Sequence, residues 1–412
     1  TWHRPHDSPL TADTEGLARA VSHWVRTSAN ARSVGQDAAA AVQAARTPPG
    51  QIATLILPAD CAWDEGAEPG APLAPPARAS VAPEIVNNIA RALRSGVPAM
   101  LMLSGAALTE RGLRAAHRVA HLTGARLRTP TQVPRMARGR GRVPVDRIPY
   151  VVDAALKVLE GTRHLVLAGA KAPVGFFGYP GKPSTLWPPD CEVHVLARAE
   201  QDIVGALDAL ADELGAPREV ALPEPGPRPE TQRGRFHPEA FGHTLAALLP
   251  ENAVVAEDAV TSGRALFPLT WAAAPHDWIQ ITGGAIGHAF PAATGAALGS
   301  PGRKVVCLQA DGAGMYSLQA LWTQAREKLD VVNVVFANRR YAILQGELAA
   351  VGAQPGPASK ELFDLSRPTL DWVKLAGGMG VEAVKVETLE GFADAFTSAC
   401  ARRGPFLIEF AI

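Results

Sequence analysis

The stretch LQADGAGMYSLQALWTQAREKLDVVNVVFANRRYAIL, Leu308 to Leu344, decides the fold. An apolar run ends at a lone carboxylate, Asp311, followed at once by Gly312, Ala313 and Gly314. A single helix is expected over Gly314 to Leu329, then a second apolar run that stops at Asn338. Apolar runs of this length joined by an amphipathic helix predict buried parallel strands, because a strand covered on both faces has no polar side to alternate with. In such open sheets ligands gather beyond the carboxyl ends of the strands, where Asp311 and Asn338 both stand.

An Asp and an Asn with nearby carbonyls form a hard-oxygen set suited to Mg²⁺, which takes one or two carboxylates and fills its remaining positions with water and phosphate. Small residues at 312–314 leave backbone N–H groups open to an anion at a helix start. The plain alternative is a helix cap at Asp311 and a turn at Asn338. A dinucleotide fingerprint fits poorly: no third glycine follows in place and no acidic residue ends the next strand.

The rest of the chain extends the pattern. Expected third-unit strands are AVVAED, WIQIT, KVVCLQA, VVNVVFA, EAVKV and FLIEFAI, within residues 237–412. Residues 84–215 alternate helix and strand in the same way, with PAMLMLSG, HLVLAG and EVHVLA as strands. Pro- and Gly-rich stretches at 67–83 and 216–236 read as linkers. Thr14 to Ala45 reads as helical, followed by a short strand within Gln51–Leu57. Of 412 residues 47% are hydrophobic, enough for two or three cores, and 40 Lys+Arg balance 40 Asp+Glu, which leaves no field for nucleic acid. No apolar run reaches the ~18 residues of a membrane span. The four scattered cysteines have no disulfide or metal spacing, as expected of a reducing cytoplasm.

An Asp-Gly followed by an Asn 27 positions after the Asp, across strand–helix–strand, resembles the motif of the thiamine-diphosphate-dependent 2-oxo-acid decarboxylase and acetolactate synthase superfamily. SLQALWTQAREKLDVVNVVFANRRYAIL is most similar to acetolactate synthase large-subunit-like and benzoylformate decarboxylase-like proteins. The resemblance implies an α/β fold, with doubly wound parallel-sheet domains of the thiamine-diphosphate-binding type around a Rossmann-like central domain. It implies that Asp311, the Asn338 side chain and the Arg340 carbonyl ligate Mg²⁺, with Gly312 and Ala313 against the cofactor. Ala310 and Ala337 stand where the family has Gly and Asn, replacements small enough for the metal site to survive. ITGGAIGHAFPAATGAALG, Ile281 to Gly299, resembles the segment meeting the cofactor rings: Gly284 and Ala285 would contact the pyrimidine side, and Ile286 would hold the cofactor bent. Thr261 and Ser262 fall where the family contacts the diphosphate; plain capping is the alternative. Ile343 and Leu344 would wall the substrate pocket, Leu344 replacing the carboxylate of pyruvate-decarboxylase-like enzymes. Glu347 is either a proton shuttle or a solvated helix carboxylate, and His288 either a pocket residue or a structural one.

By the same resemblance residues 1–66 match the back half of a pyrimidine-binding domain. No Glu of this chain matches the cofactor-activating Glu of the front half; Glu15 falls after its place. That leaves a fragment or nicked enzyme, partnered by the polypeptide that carries the front half, or a non-catalytic cofactor-binding or scaffolding protein. The expected activity is that of a lyase or carboligase on 2-oxo acids, forming a ylide that attacks the 2-oxo carbon with loss of carbon dioxide. A homodimer or homotetramer is implied. FAD occurs in some members, and no motif here asks for it.

Overall fold

A computed structural model describes residues 2–412; Thr1, the first residue of the expected 1–66 unit, lies outside the described residues. Its strands form three sheets. The smallest pairs β1 (Trp24–Thr27) with β2 (Ala53–Ile56) in parallel. Here the expected helix over Thr14–Ala45 is corrected. Two helices, Thr14–Val21 and Val34–Arg46, flank β1. Trp24, Val25 and Thr27 are aromatic or β-branched and prefer the pleated surface that β2 supplies. The hydroxyl of Ser22, at the end of the helix before β1, meets that of Thr54 on β2 at 2.6 Å. Asp37 fixes the second helix against β1 through Arg26 (3.0 Å) and Ser28 (2.9 Å). Burial opposes its charge, yet hydrogen bonds from Arg26, Ser33 and Ser28 hold its pKa below the usual carboxylate range.

The central sheet contains β3 (Ala99–Leu103), β4 (Arg126–Thr129), β6 (Asp146–Arg147), β7 (His164–Ala168) and β8 (Glu192–Ala197), in parallel order β6-β4-β3-β7-β8. Alternation along β3 divides its side chains between two cores. Leu101 and Leu103 meet helices 83–94, 110–123 and 203–214, while Met100 and Met102 meet helix 152–159. The short strands β4 and β6 are absent from the sequence reading.

The third sheet holds β9 (Ala253–Asp258), β10 (His276–Gln280), β11 (Val305–Ala310), β12 (Val331–Ala337), β13 (Glu382–Val386) and β14 (Phe406–Ala411), all parallel. All six expected strands are present. A seventh, β5 (Met136–Arg138), leaves the central segment and adds antiparallel to β10. The full order is β13-β14-β12-β11-β9-β10-β5. Phe241, Phe336, Phe392 and Phe410 form the core between β12, β14 and helices 238–248 and 389–401, with ring centroids 4.8 to 5.8 Å apart. Each such pair contributes ~0.5–1.5 kcal/mol beyond area burial. Small residues of helix 289–299, Ala289, Ala293 and Ala297, let it lie close on Val254, Ala256, Val305 and Cys307, which brings loop 281–288 to the strand ends.

The single helix expected over Gly314–Leu329 is corrected as well. A helical turn Asp311–Gly314 gives way to turns, and helix Ala320–Arg326 follows. Ser317 Oγ donates to the Gly287 carbonyl at 2.5 Å, which ties this stretch to the neighbouring loop. Bonds spanning three residues, from Tyr316 N–H to the Ala313 carbonyl and from Ser317 N–H to the Gly314 carbonyl (both 3.2 Å), interrupt the α-helical register.

Candidate active site

Three neighbouring strands, β9, β11 and β12, end in or just before Asp258, Asp311 and Asn338. Asp311 is buried, and its carboxylate is held by two backbone donors: Gly312 N–H at 2.8 Å and Arg339 N–H at 2.7 Å. The second bond stitches the end of β12 to the end of β11. It is available because Arg339 adopts φ 56, a left-handed conformation costly for a residue with a side chain. Asn338 Oδ1 accepts from Arg340 N–H at 3.0 Å. Burial pushes the Asp311 pKa up, and the backbone donors only partly offset it. Among the described residues no Lys or Arg forms a salt bridge with it. A buried carboxylate that no ion pair closes off, with only the Arg339 charge nearby to offset its burial, fits a divalent cation beside the Asn338 amide.

One expectation about this turn changes. Gly312 N–H is spent on Asp311 itself, and Gly312 is small for a packing reason: a Cβ there would stand 2.6 Å from the Tyr341 ring.

Asp258, at the end of β9, organises the adjoining loop. Its Oδ2 accepts from Gly287 N–H (2.7 Å), His288 N–H (3.1 Å) and Gln309 Nε2 (2.9 Å). His288 thus serves the loop through its backbone, and it is not among the residues lining the cavity described next. Thr261 is half-buried and Ser262 buried in the turn after β9, with Ser262 N–H bonded to Ala259 (3.0 Å). Their neighbour Val260 has φ 49, an outlier for a β-branched residue and a mark of local strain.

Beside these strand ends lies a cavity of about 630 Å³ between the central and third sheets. Gly284, Ile286, Ile343, Leu344 and Glu347 all line it. Ala285, Asp311, Gly312, Ala313, Asn338 and Arg340 do not. Tyr150, Phe176 and Phe177 from the central segment and Phe267 from the third also line it, together with Arg128, Asp146, Arg147 and Arg264. Phe176 closes on Gly284 so tightly that a Cβ there would stand 2.7 Å from its ring, and φ +72 makes any side chain at 284 strained in addition.

Glu347 is gripped from across this space. Tyr150 O–H donates to its Oε1 at 2.9 Å and Tyr179 O–H to its Oε2 at 2.7 Å. The picture of a solvated helix carboxylate gives way to one anchored in the cavity wall. Burial, then the bonds to Tyr179 and Glu347, push the Tyr150 phenol far above its usual range. Glu257, one residue before Asp258, also lines the cavity. It is 5% exposed, and burial raises its pKa against the pull of Arg147. Tyr150, Tyr179 and Glu257 were missed from sequence; two acidic residues closing an apolar strand, as in AVVAED, were the available signal.

Glu15 is engaged elsewhere. It accepts from Thr27 (2.5 Å) and Arg19 (3.1 Å) on the first helix and does not line the cavity.

Comparison with known proteins agrees with this geometry. A sequence profile described as "Thiamine pyrophosphate enzyme, C-terminal TPP binding domain" matches residues 258–410, the span from Asp258 to β14. Over its whole length the chain is 48% identical to the "Putative acetolactate synthase large subunit IlvX" of Mycobacterium tuberculosis, 79% of which it covers. The chain belongs to the thiamine-diphosphate-dependent enzymes. Within that family it is 30% identical to benzoylformate decarboxylase of Pseudomonas aeruginosa over 50% of this chain and 39% of that one. A thiamine diphosphate-dependent 4-hydroxybenzoylformate decarboxylase from Rhodococcus jostii RHA1 superposes with TM-score 0.81, covering 97% of this chain and 78% of that one. Their 23% identity speaks to the fold alone.

Proposed function

We propose that the chain acts as a thiamine-diphosphate- and Mg²⁺-dependent lyase or carboligase on 2-oxo acids, with preference for a bulky apolar substituent on the 2-oxo carbon. The observation that carries this is the buried Asp311, free of any ion pair, bonded across strands to the Asn338 loop at the sheet edge that the cavity adjoins. In this reading Asp311, Asn338 and the Arg340 carbonyl hold Mg²⁺. Gly312, Ala313, Thr261 and Ser262 adjoin the diphosphate, and Gly284, Ala285 and Ile286 meet the rings. When bound, the cofactor supplies a carbon nucleophile and an electron sink for carbon dioxide loss.

The chain's own residues do the rest. The space lies within the ~300–1,000 Å³ of clefts that accept drug-sized ligands, and the exposed rings of Phe176 and Phe177 are available to an aryl substituent. The same space is lined by Arg128, Arg147 and Arg264, whose guanidinium groups suit the carboxylate of a 2-oxo acid. Glu347, steadied by two phenols, is placed to hold or pass a proton at the cavity wall.

A homodimer or larger assembly accords with Tyr316 and Trp322, which are 65% and 52% exposed near the cofactor loops. No helix among the described residues is long and apolar enough to cross a membrane. The test measures carbon dioxide release from benzoylformate and from pyruvate, beside Mg²⁺-dependent cofactor binding by calorimetry. Binding with faster turnover of the aryl acid supports the proposal. Absence of binding overturns it, and binding with preference for pyruvate overturns its substrate part.

A further inference from the structure

At the far end of the central sheet from the cavity, His164 opens β7, and Glu192 and His194 stand at the first and third positions of the edge strand β8. Backbone register places His164 opposite Glu192, and His194 two residues on lies on the same face. His164 Nδ1 and His194 Nε2 are 3.0 Å apart, and Glu192 Oε2 is 3.7 Å from each. A point equidistant from three atoms so spaced lies about 2.0 Å from all of them, matching zinc–nitrogen and zinc–carboxylate bonds of ~2.0–2.2 Å. We propose that His164, Glu192 and His194 form a divalent transition-metal site of the zinc type, with its remaining coordination position open to solvent.

A histidine–histidine hydrogen bond alone would account for the 3.0 Å contact. It would not account for a carboxylate oxygen set symmetrically against both nitrogens. Arg163, the nearest cation in sequence, is neutralised by an ion pair with Asp190 and does not oppose a bound metal. Two imidazoles with a carboxylate are ligands that zinc favours over Mg²⁺, so this site is chemically distinct from the one at Asp311. A metal here would clip the edge strand to its neighbour and raise stability without altering turnover.

The experiment uses the full chain, stripped with chelator and then saturated with Mg²⁺ and thiamine diphosphate. Zn²⁺ is titrated calorimetrically, and Co²⁺ is used as a visible-band probe. One equivalent should bind, with affinity lowered at least about tenfold in His164→Ala and His194→Ala. Glu192 is largely exposed, so Glu192→Gln folds whatever the histidine variants do, and it too should weaken binding several-fold. A His3→Ala/His6→Ala variant should bind as the unsubstituted chain does. Absence of binding, unchanged affinity in Glu192→Gln, or loss of binding in the His3/His6 variant overturns the proposal.

Discussion

The Tyr150–Glu347–Tyr179 cluster gives the sharpest test of how the central and third units are held around the cavity. Tyr150→Phe deletes one phenol donor and leaves the ring in place. A hydrogen bond to a charged group is worth ~1.5–3 kcal/mol, but water reaches this half-buried carboxylate. We therefore expect about 1 kcal/mol for each phenol and about 2 kcal/mol for both. A double-mutant cycle of Tyr150→Phe with Glu347→Ala, followed by urea unfolding, should give a coupling energy of about 1 kcal/mol. The sign in pH is also fixed. The folded phenol has a raised pKa, so its contribution is complete below the unfolded value of about 10 and is lost as pH rises through the folded value. Stability should fall above pH ~10 more steeply in the unsubstituted chain than in Tyr150→Phe. Effects of the two substitutions that add to within ~0.3 kcal/mol would refute the reasoning.

Two further substitutions probe other parts of the site. Gly284→Ala places a methyl against the Phe176 ring at a left-handed position and should cost about 1 kcal/mol or more in thermal unfolding. Adding Phe176→Ala should recover the steric part and leave the backbone part. Glu257→Gln removes a buried carboxyl whose pKa is raised, so its favourable contribution is present only below the usual carboxylate range and fades as pH rises. The variant should be at least as stable as the parent at pH 8, with the difference shrinking toward pH 4; lower stability at pH 8 would mean that pairing with Arg147 outweighs burial.

What could be read from the sequence was whatever a buried parallel sheet writes locally. VVCLQA and VVNVVFA are apolar but for Gln309 and Asn333, because both faces are covered and those two amides find buried partners in Asp258 and Gln324; the oxygen-bearing residues just past the strands mark the site. β4 is different. Its RLRT alternates with arginine because Arg126 reaches the Val158 carbonyl (2.8 Å) and Thr162 Oγ1 (2.6 Å), partners 32 and 36 residues away. β5 exists only because β10 pairs with it, and its Arg138 is fully buried over the rings of Phe267 and Trp271. No periodicity announces a guanidinium there. Tyr150, Tyr179 and Glu347 span 197 positions and meet through tertiary packing alone. The aromatic residues of the cavity were for the same reason invisible, although Ile343 and Leu344 were not.

The most direct test of the central claim is calorimetric titration of thiamine diphosphate into the full chain with and without Mg²⁺, beside Asp311→Ala. The account predicts binding that requires Mg²⁺ and that weakens more than about 100-fold in the variant, since loss of an outer-shell partner alone costs ~10–100-fold. Equal affinity in Asp311→Ala, or binding indifferent to Mg²⁺, would contradict it.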